Sequence, residues 1–322
     1  MRIDQLLRTL TAHAWAIEPR TLTIGAQILQ RKLLGESFLG HALHAELGIG
    51  MPREIPMIEH MGANGKFTGV VSGTVEALNG RSQTKREIRI ARIPIEGMIQ
   101  ARAGSLGTSP RSIVNAVENA AASRSIDGMV LDYTTPGGQV DGVPEGAQRI
   151  REISKIKPVV SFTDEMVASA GYWLAAASQE FWMLPSATGA GNIGVYMMHI
   201  DESEALEKEG VRIEVLSAGK YKLEGAPWAP LSEEARDFYQ DDVDKIYDWF
   251  AKDVATYRGD TKASVLKGYG EGRLLNGKAA VEANLVDRLG SLDDAVQRAA
   301  TLANRSTGRR STATERARLE VA

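Results

Sequence analysis

The chain has 322 residues, 43% of them hydrophobic, which is enough for one large domain or a domain with a smaller appendage. Its 38 basic and 41 acidic residues nearly balance, and no basic stripe is visible, so we expect no nucleic-acid partner. The absence of cysteine excludes disulfides, thiolate metal sites and a cysteine nucleophile.

No segment approaches the roughly 20 apolar residues that span a bilayer. The amino terminus is interrupted by Arg8, His13 and Glu18, so it does not have the apolar stretch of a secretory signal. We therefore expect no membrane partner and a cytoplasmic location. The loose pair His41 and His44 is more typical of a helix face than of a metal site, and we expect neither a metal nor a cofactor.

Residues 1–88 are predicted to form an amino-terminal appendage, with a helix near residues 24–34 and then a Gly-rich run that suits a hairpin. Short β-like runs then alternate with helices, which predicts an α/β domain over residues 89–303. Residues 304–322 are polar and rich in Arg, Thr and Ser, as is typical of a flexible tail.

The domain opens with a predicted strand at residues 88–97, followed by a helix for which Ser109 is the cap and Pro110 the first residue. Further strands are predicted at 125–133, 157–164, 180–185 and 211–216. Further helices are predicted at 145–154, from about 168, and at 202–209, 232–257, 277–283 and 292–302.

Three groups of residues could carry chemistry, although each alone is more typical of a structural role. Ser169 has small neighbours at a strand-to-helix junction, where it could be a nucleophile or simply a helix cap. Pro136, Gly137 and Gly138 follow a buried strand and could direct an N–H group towards an oxyanion or form an ordinary turn. Lys220 and Lys222 could act as a base only if the pKa of one is lowered.

The order and flanking residues of these groups resemble those of a serine peptidase family that includes bacterial signal peptide peptidase A and phage capsid assembly proteases. The resemblance covers about residues 88–300, through MVLDYTTPGGQV, EMVASAGYWLAAAS and the run that ends in SAGKYK. It also includes GRLLNGKAAVEANLVDRLGSLDDAV near the carboxyl end. The resemblance implies that Ser169 is the nucleophile and Lys222 the general base. Gly138 and Ala170, with Gly137 beside them, correspond to the oxyanion hole.

The resemblance also implies a crotonase- or Clp-protease-like fold of stacked ββα units in a homo-oligomer. That assembly could be a ring whose active sites are shared between subunits. The segment HAWAIEPRTLTIGAQIL resembles the start of phage capsid proteases, and no membrane anchor is visible, which favours the phage branch. The expected substrates are scaffold, portal or other capsid proteins, cleaved in the host cytoplasm or inside the procapsid. The chain has no room for a fused scaffold segment, so we expect any scaffold to be a separate chain.

Several alternatives stay open. The protein could be a cellular enzyme similar to signal peptide peptidase, an inactive capsid-associated structural protein, or a crotonase-like protein that binds an acyl-coenzyme A thioester. Lys220 is the second candidate for the base. A Ser–His–Asp triad through His199 is disfavoured, because the lysine correspondence explains the same site without it.

Overall fold

The structure, a computed structural model, describes residues 15–17, 70–79, 82–103 and 107–319, with side chains described within 88–103 and 107–305. The predicted helix at 24–34 and the pair His41 and His44 lie outside these residues. In chain order the strands are β1 (Trp15–Ile17), β2 (Val70–Asn79), β3 (Ser82–Glu96), β4 (Met98–Ile99), β5 (Gly107–Thr108), β6 (Gly128–Thr134), β7 (Gly137–Gln139), β8 (Val159–Thr163), β9 (Met166–Ala168), β10 (Glu180–Met183), β11 (Gly189–Gly191), β12 (Leu274–Leu275) and β13 (Arg288–Leu289). The helices are α1 (Pro110–Ala122), α2 (Val143–Ser154), α3 (Ala170–Ala176), α4 (Ser203–Lys208), α5 (Glu233–Arg258), α6 (Lys262–Gly268), α7 (Gly277–Glu282) and α8 (Leu292–Leu319).

The central sheet has six strands in the order β13-β10-β8-β6-β3-β2. All neighbours in it are parallel except β2 and β3, which form an antiparallel pair. Parallel strands need crossover connections, and the chain supplies them with helices. The predicted α/β class is therefore confirmed.

A repeated unit builds the domain and creates its second layer of short strands. After β6 the chain adds β7 and α2, and after β8 it adds β9 and α3, so a long strand is followed each time by a short strand and a helix. The short strands pair in two smaller sheets, ordered β1-β7-β4-β5 and β12-β11-β9. These are the stacked ββα units that the resemblance implies.

Alternation of side chains along the strands gives the central sheet two apolar faces. On one face, Ile90 and Val130 pack against the small residues Ala295 and Ala299 of α8. On the other face, Leu131 and Tyr133 belong to the larger core that includes residues of α1, α2, α3 and α5. Burial on both sides explains why consecutive apolar residues, such as Met129 to Leu131 and Val159 to Val160, follow one another in β6 and β8.

Most predicted elements of the domain are confirmed. Pro110 begins α1, and the Ser109 hydroxyl accepts a hydrogen bond from the Ser112 N–H, as expected of a helix cap. The long helix α5 is capped in the same way by Ser232. Within the described part of the chain, no helix is both long and apolar enough to cross a membrane.

The predicted strand at residues 211–216 is wrong. These residues adopt no regular structure, and Val211, Ile213 and Val215 are exposed. Alternating β-branched residues favour a strand, but a strand also needs a neighbour with which to pair. Within the described residues of this chain, no strand pairs with this segment.

The predicted domain boundary at residue 88 falls inside β3, which runs without interruption from Ser82 to Glu96. At the other end, α8 continues to Leu319 and so includes most of the predicted tail. The division into an appendage, a domain and a tail remains a prediction.

Candidate active site

Ser169 lies between β9 and α3 with an unusual backbone conformation. Its φ of 55° and ψ of −120° lie in a region that L side chains rarely adopt. Its N–H donates to the Gly191 carbonyl at 2.8 Å, and its own carbonyl accepts from the Trp173 N–H at 2.9 Å. Strain of this kind costs about 1–3 kcal/mol and persists only where surrounding contacts enforce it.

The Ser169 side chain is 0% exposed, and its hydroxyl has no hydrogen-bond partner among the described residues. Ser169 occupies the cap position of α3 but makes no capping hydrogen bond. The interpretation of Ser169 as an ordinary helix cap is therefore wrong. A buried hydroxyl without a partner costs stability, so it needs another explanation, such as a catalytic role.

Thr135 connects the glycine turn to the segment that carries Ser169. Its hydroxyl donates to the Gly97 carbonyl at 2.6 Å and accepts from the Gly137 N–H at 3.2 Å. Its carbonyl accepts from the Ala168 N–H at 3.0 Å. Sequence reasoning missed Thr135, although its position directly before Pro136 was the available signal.

Two glycines allow backbone segments at the site to approach closely. A Cβ on Gly171 would come within 2.3 Å of Thr135 Cγ2, so the start of α3 packs directly against the turn that follows β6. A Cβ on Gly138 would come within 1.8 Å of the Ile99 carbonyl oxygen. The structure therefore brings together Ser169, Ala170 and the turn with Gly137 and Gly138.

Helix α3 is fixed in place by its aromatic residues. The Trp173 ring stacks on Phe250 of α5 with centroids 4.4 Å apart, and its Nε1–H donates to Asp253 at 2.9 Å. The Tyr172 hydroxyl donates to the Leu285 carbonyl at 2.9 Å. Burial raises the pKa of Asp253, and the hydrogen bond from Trp173 opposes part of that rise. These contacts hold the backbone that carries Ser169.

The structure does not bring the candidate base to the nucleophile. Lys222 lies in an exposed turn, where its N–H donates to the Gly219 carbonyl at 3.2 Å. The Ser169 hydroxyl accepts no hydrogen bond from Lys222, because it has no partner among the described residues. A general base must reach about 2.6–3.2 Å from the proton that it removes, and this structure shows no hydrogen bond between Ser169 and Lys222.

Lys220 has an environment that does not suit a base. Its ammonium contacts the Glu234 carboxylate and the Tyr221 hydroxyl at 2.8 and 2.7 Å. The hydrogen bond to Glu234 and then that to Tyr221 raise the pKa of Lys220. A base at neutral pH needs the opposite shift, which favours Lys222 between the two lysines.

The segment before and around Lys222 exposes an unusual number of large apolar side chains. Leu216 is the extreme case, at 94% exposure. The others are Val211, Ile213, Val215, Tyr221, Leu223 and Trp228. We call these seven residues the apolar strip. Large apolar side chains exposed in this number within one segment are typical of a protein–protein interface.

His199 and metal-binding groups are the remaining features that could bear on the chemistry of the site. His199 has its Nε2 3.2 Å from the Ala229 carbonyl oxygen and makes no hydrogen bond with Ser169. Among the described residues, no group of three His, Asp or Glu side chains could hold a metal ion.

Comparison with known proteins matches residues 151–306 to the model of Peptidase family S49. The chain is 33% identical over 232 residues to the capsid assembly protease C of Escherichia phage lambda, covering 68% of this chain and 52% of that protein. It is 30% identical over 245 residues to the head-tail preconnector protein GP5 of Enterobacteria phage P21, covering 73% and 48%.

This chain aligns with a larger share of one bacterial relative than of the two phage proteins. The putative signal peptide peptidase SppA of Enterococcus faecium is 30% identical over 246 residues, covering 73% of this chain and 69% of that protein. By contrast, the chain spans only about half the length of the two phage relatives. The matched residues 151–306 include Ser169 and Lys222. The chain belongs to Peptidase family S49.

Proposed function

We propose that this protein is a serine endopeptidase with a Ser169–Lys222 dyad. The neutral Lys222 amine takes the Ser169 proton as Ser169 Oγ attacks a peptide carbonyl carbon. The protonated lysine then gives that proton to the departing amine, which leaves an acyl-enzyme. Water, activated by the same lysine, hydrolyses the ester and restores Ser169.

The observation that carries this proposal is the state of Ser169. Its backbone is strained, and its hydroxyl is buried without a partner among the described residues. A structural serine would use its hydroxyl to satisfy a neighbouring group. Strain and an unsatisfied polar atom at one residue are together typical of a functional site.

The oxyanion that forms during the attack needs hydrogen-bond donors. We assign this role to the N–H groups of Gly138 and Ala170. Gly138 lies in one of the two segments that Thr135 holds together, and Ala170 lies in the other. Gly137 is less suited, since its N–H already donates to Thr135 Oγ1.

We propose that Lys222 completes the site of a neighbouring copy in a homo-oligomer, which could be a ring. In the isolated chain Lys222 is exposed. Packing of the apolar strip against a second copy would bury the region around Lys222. A buried environment disfavours a charged amine, which is what a lysine base in general needs.

We propose capsid assembly or maturation as the setting, with scaffold, portal or other head proteins as substrates. The names of the phage lambda and phage P21 relatives support this setting. Cleavage would then take place in the host cytoplasm or inside the procapsid. A cellular role close to that of signal peptide peptidase is the second candidate, supported by the fuller coverage of the Enterococcus faecium relative.

The test is hydrolysis of fluorescein-labelled casein by the purified full chain, together with reaction of Ser169 with a fluorophosphonate, located by mass spectrometry. We expect Ser169→Ala to abolish both. Cleavage that persists in Ser169→Ala would refute the proposal. Absence of both cleavage and labelling in the unaltered protein would favour an inactive structural protein. Incubation with head proteins and with signal peptides would then separate the two settings.

A further inference from the structure

The glycine strand β7 has a strand on each of its two edges. On one edge Gly138 pairs with Ile99 of β4, which belongs to the body of the domain. On the other edge lies β1, from the far amino-terminal part of the chain, with Ala16 opposite Gly138. The three residues of β1 therefore cover an edge that the rest of the domain leaves open.

That edge is the one on which a peptide substrate would pair. If the Gly138 N–H holds the oxyanion, the reacting carbonyl must lie beside β7. The edge facing β4 is filled by the domain itself, so an extended peptide can only use the edge that β1 occupies. Addition of a strand to an open sheet edge is a common way to bind peptides, because main-chain hydrogen bonds serve any sequence.

Strand β1 runs along β7 from Gln139 towards Gly137. The pairing is antiparallel, with Trp15 opposite Gln139 and Ile17 opposite Gly137. The chain thus runs towards the turn at Gly137, and Thr135 packs this turn against the start of α3 beside Ser169. The carboxyl end of β1 is directed towards the nucleophile.

Burial at the site agrees with an occupied edge. Gly137, Gly138 and Gln139 are all buried, and Ser169 is 0% exposed. A peptidase nucleophile has to be reached by a substrate carbonyl. In this structure it cannot be reached until something covering it moves.

We propose that residues 15–17 occupy the position of a substrate strand on β7, so that the protein's own amino-terminal segment must leave before a protein substrate binds. This inference rests on the proposed peptidase function. It makes β1 an internal competitor that recognises the same main-chain groups as a substrate does.

The test compares full-length Ala16→Pro with the unaltered protein. Proline has no N–H and disfavours pairing within a sheet, and position 16 lies opposite Gly138. A fluorescein-labelled peptide of residues 13–19, HAWAIEP, should bind Ala16→Pro about 5- to 30-fold more tightly, the effect of losing one or two strand hydrogen bonds. The KM for casein should fall by a similar factor with kcat unchanged.

Ala14→Pro is the matched control, because it makes the same substitution just outside β1. It should bind the peptide as the unaltered protein does. Equal peptide affinity in Ala16→Pro and the unaltered protein would overturn the inference.

Hydrogen exchange provides a readout in the unaltered protein, which remains decisive if Ala16→Pro does not fold. We expect slow exchange of the amides in residues 15–17 and faster exchange when unlabelled peptide is added. Unprotected amides there would also overturn the inference. Neither measurement needs turnover, so peptide competition without casein cleavage would count against the peptidase function alone. Cleavage without competition would count against the occupied edge alone.

Discussion

Gly171 and Thr135 lie so close together that a single methyl group on Gly171 would overlap the Thr135 side chain, with 2.3 Å between Cβ and Cγ2. Both residues are buried, so neither has room to move. We expect Gly171→Ala to destabilise the protein by about 1–3 kcal/mol through overpacking, and to displace Ser169. Urea unfolding and casein hydrolysis measure the two effects.

A compensating substitution makes this test specific. Thr135→Ser removes Cγ2 but keeps the hydroxyl, which would lie 3.4 Å from the new methyl group. The double variant should recover most of the lost stability. Gly268→Ala, where the nearest atom is 4.0 Å away, should cost nothing. If Thr135→Ser restores no stability to Gly171→Ala, the contact with the Thr135 side chain is not the cause of the destabilisation.

Removal of the Ser169 hydroxyl should separate stability from activity. Because this buried hydroxyl has no partner in the described part of the chain, we expect Ser169→Ala to keep or raise the unfolding free energy, by up to about 1 kcal/mol, and to abolish casein cleavage. Ser161 is equally buried, but its hydroxyl bonds the Ala175 carbonyl at 3.0 Å and the Ser178 hydroxyl at 2.7 Å. Ser161→Ala should lose about 1–2 kcal/mol and keep its kcat. Equal destabilisation by both variants would indicate a structural role for Ser169.

Shared active sites predict complementation between inactive variants. Ser169→Ala and Lys222→Ala should each lose at least about 10³-fold in kcat. Co-expressed, they should recover about a quarter of the activity, because a site formed by two neighbouring copies is intact when each supplies its unaltered residue. Two inactive variants that show no recovery together would place the dyad within one chain.

Lys220→Ala serves as the matched control for the lysine. Its ion pair with Glu234 is exposed and therefore contributes little to stability, so both stability and cleavage should survive. An inactive Lys220→Ala with an active Lys222→Ala would instead identify Lys220 as the base.

The pair Glu180 and Arg298 should make stability depend on acid pH. Burial tends to raise the pKa of Glu180, but hydrogen bonds from Arg298 and Trp182 outweigh it, and the pKa lies below the ordinary 4.5. The stabilisation is therefore full above pH 4.5 and is lost as the pH falls through the lower, folded-state pKa. Glu180→Gln should cost about 2 kcal/mol at pH 7 and progressively less in acid, as measured by urea unfolding. Glu118→Gln, at an exposed pair with Arg149, should cost much less than Glu180→Gln. A pH-independent difference for Glu180→Gln would contradict this prediction.

The fold could be predicted from sequence where local signals and burial agree. Ser109 and Pro110 mark the start of α1, and the consecutive apolar residues of β6 and β8 reflect strands that are buried on both faces. The same approach failed at residues 211–216. There Val211, Ile213 and Val215 alternate as in a strand, but they are exposed. The alternation does not specify which partner, if any, covers these side chains.

The site could be predicted only in part. The assignment of Ser169 and the glycines depends on a resemblance, since each alone is ambiguous, and it remains a prediction. Thr135 was missed because its role depends on contacts with Gly97 and Ala168, which are distant in sequence. The strain at Ser169 could not be read from residue type, because a positive φ at a serine follows from the surrounding packing.

Strand β3 crosses the predicted domain boundary at residue 88 as one continuous element. Its residues from Ser82 to Ala91 pair with β2, and pairing with β6 begins at Ile90. The two pairings overlap by only two residues, so most of β3 before Ile90 forms a two-stranded ribbon with β2 at the edge of the central sheet. A truncation at residue 88 would cut this ribbon from its root and expose the β3 edge of the central sheet. Separating the two parts would therefore create a new site for aggregation, and a stable fragment has to begin upstream of β2.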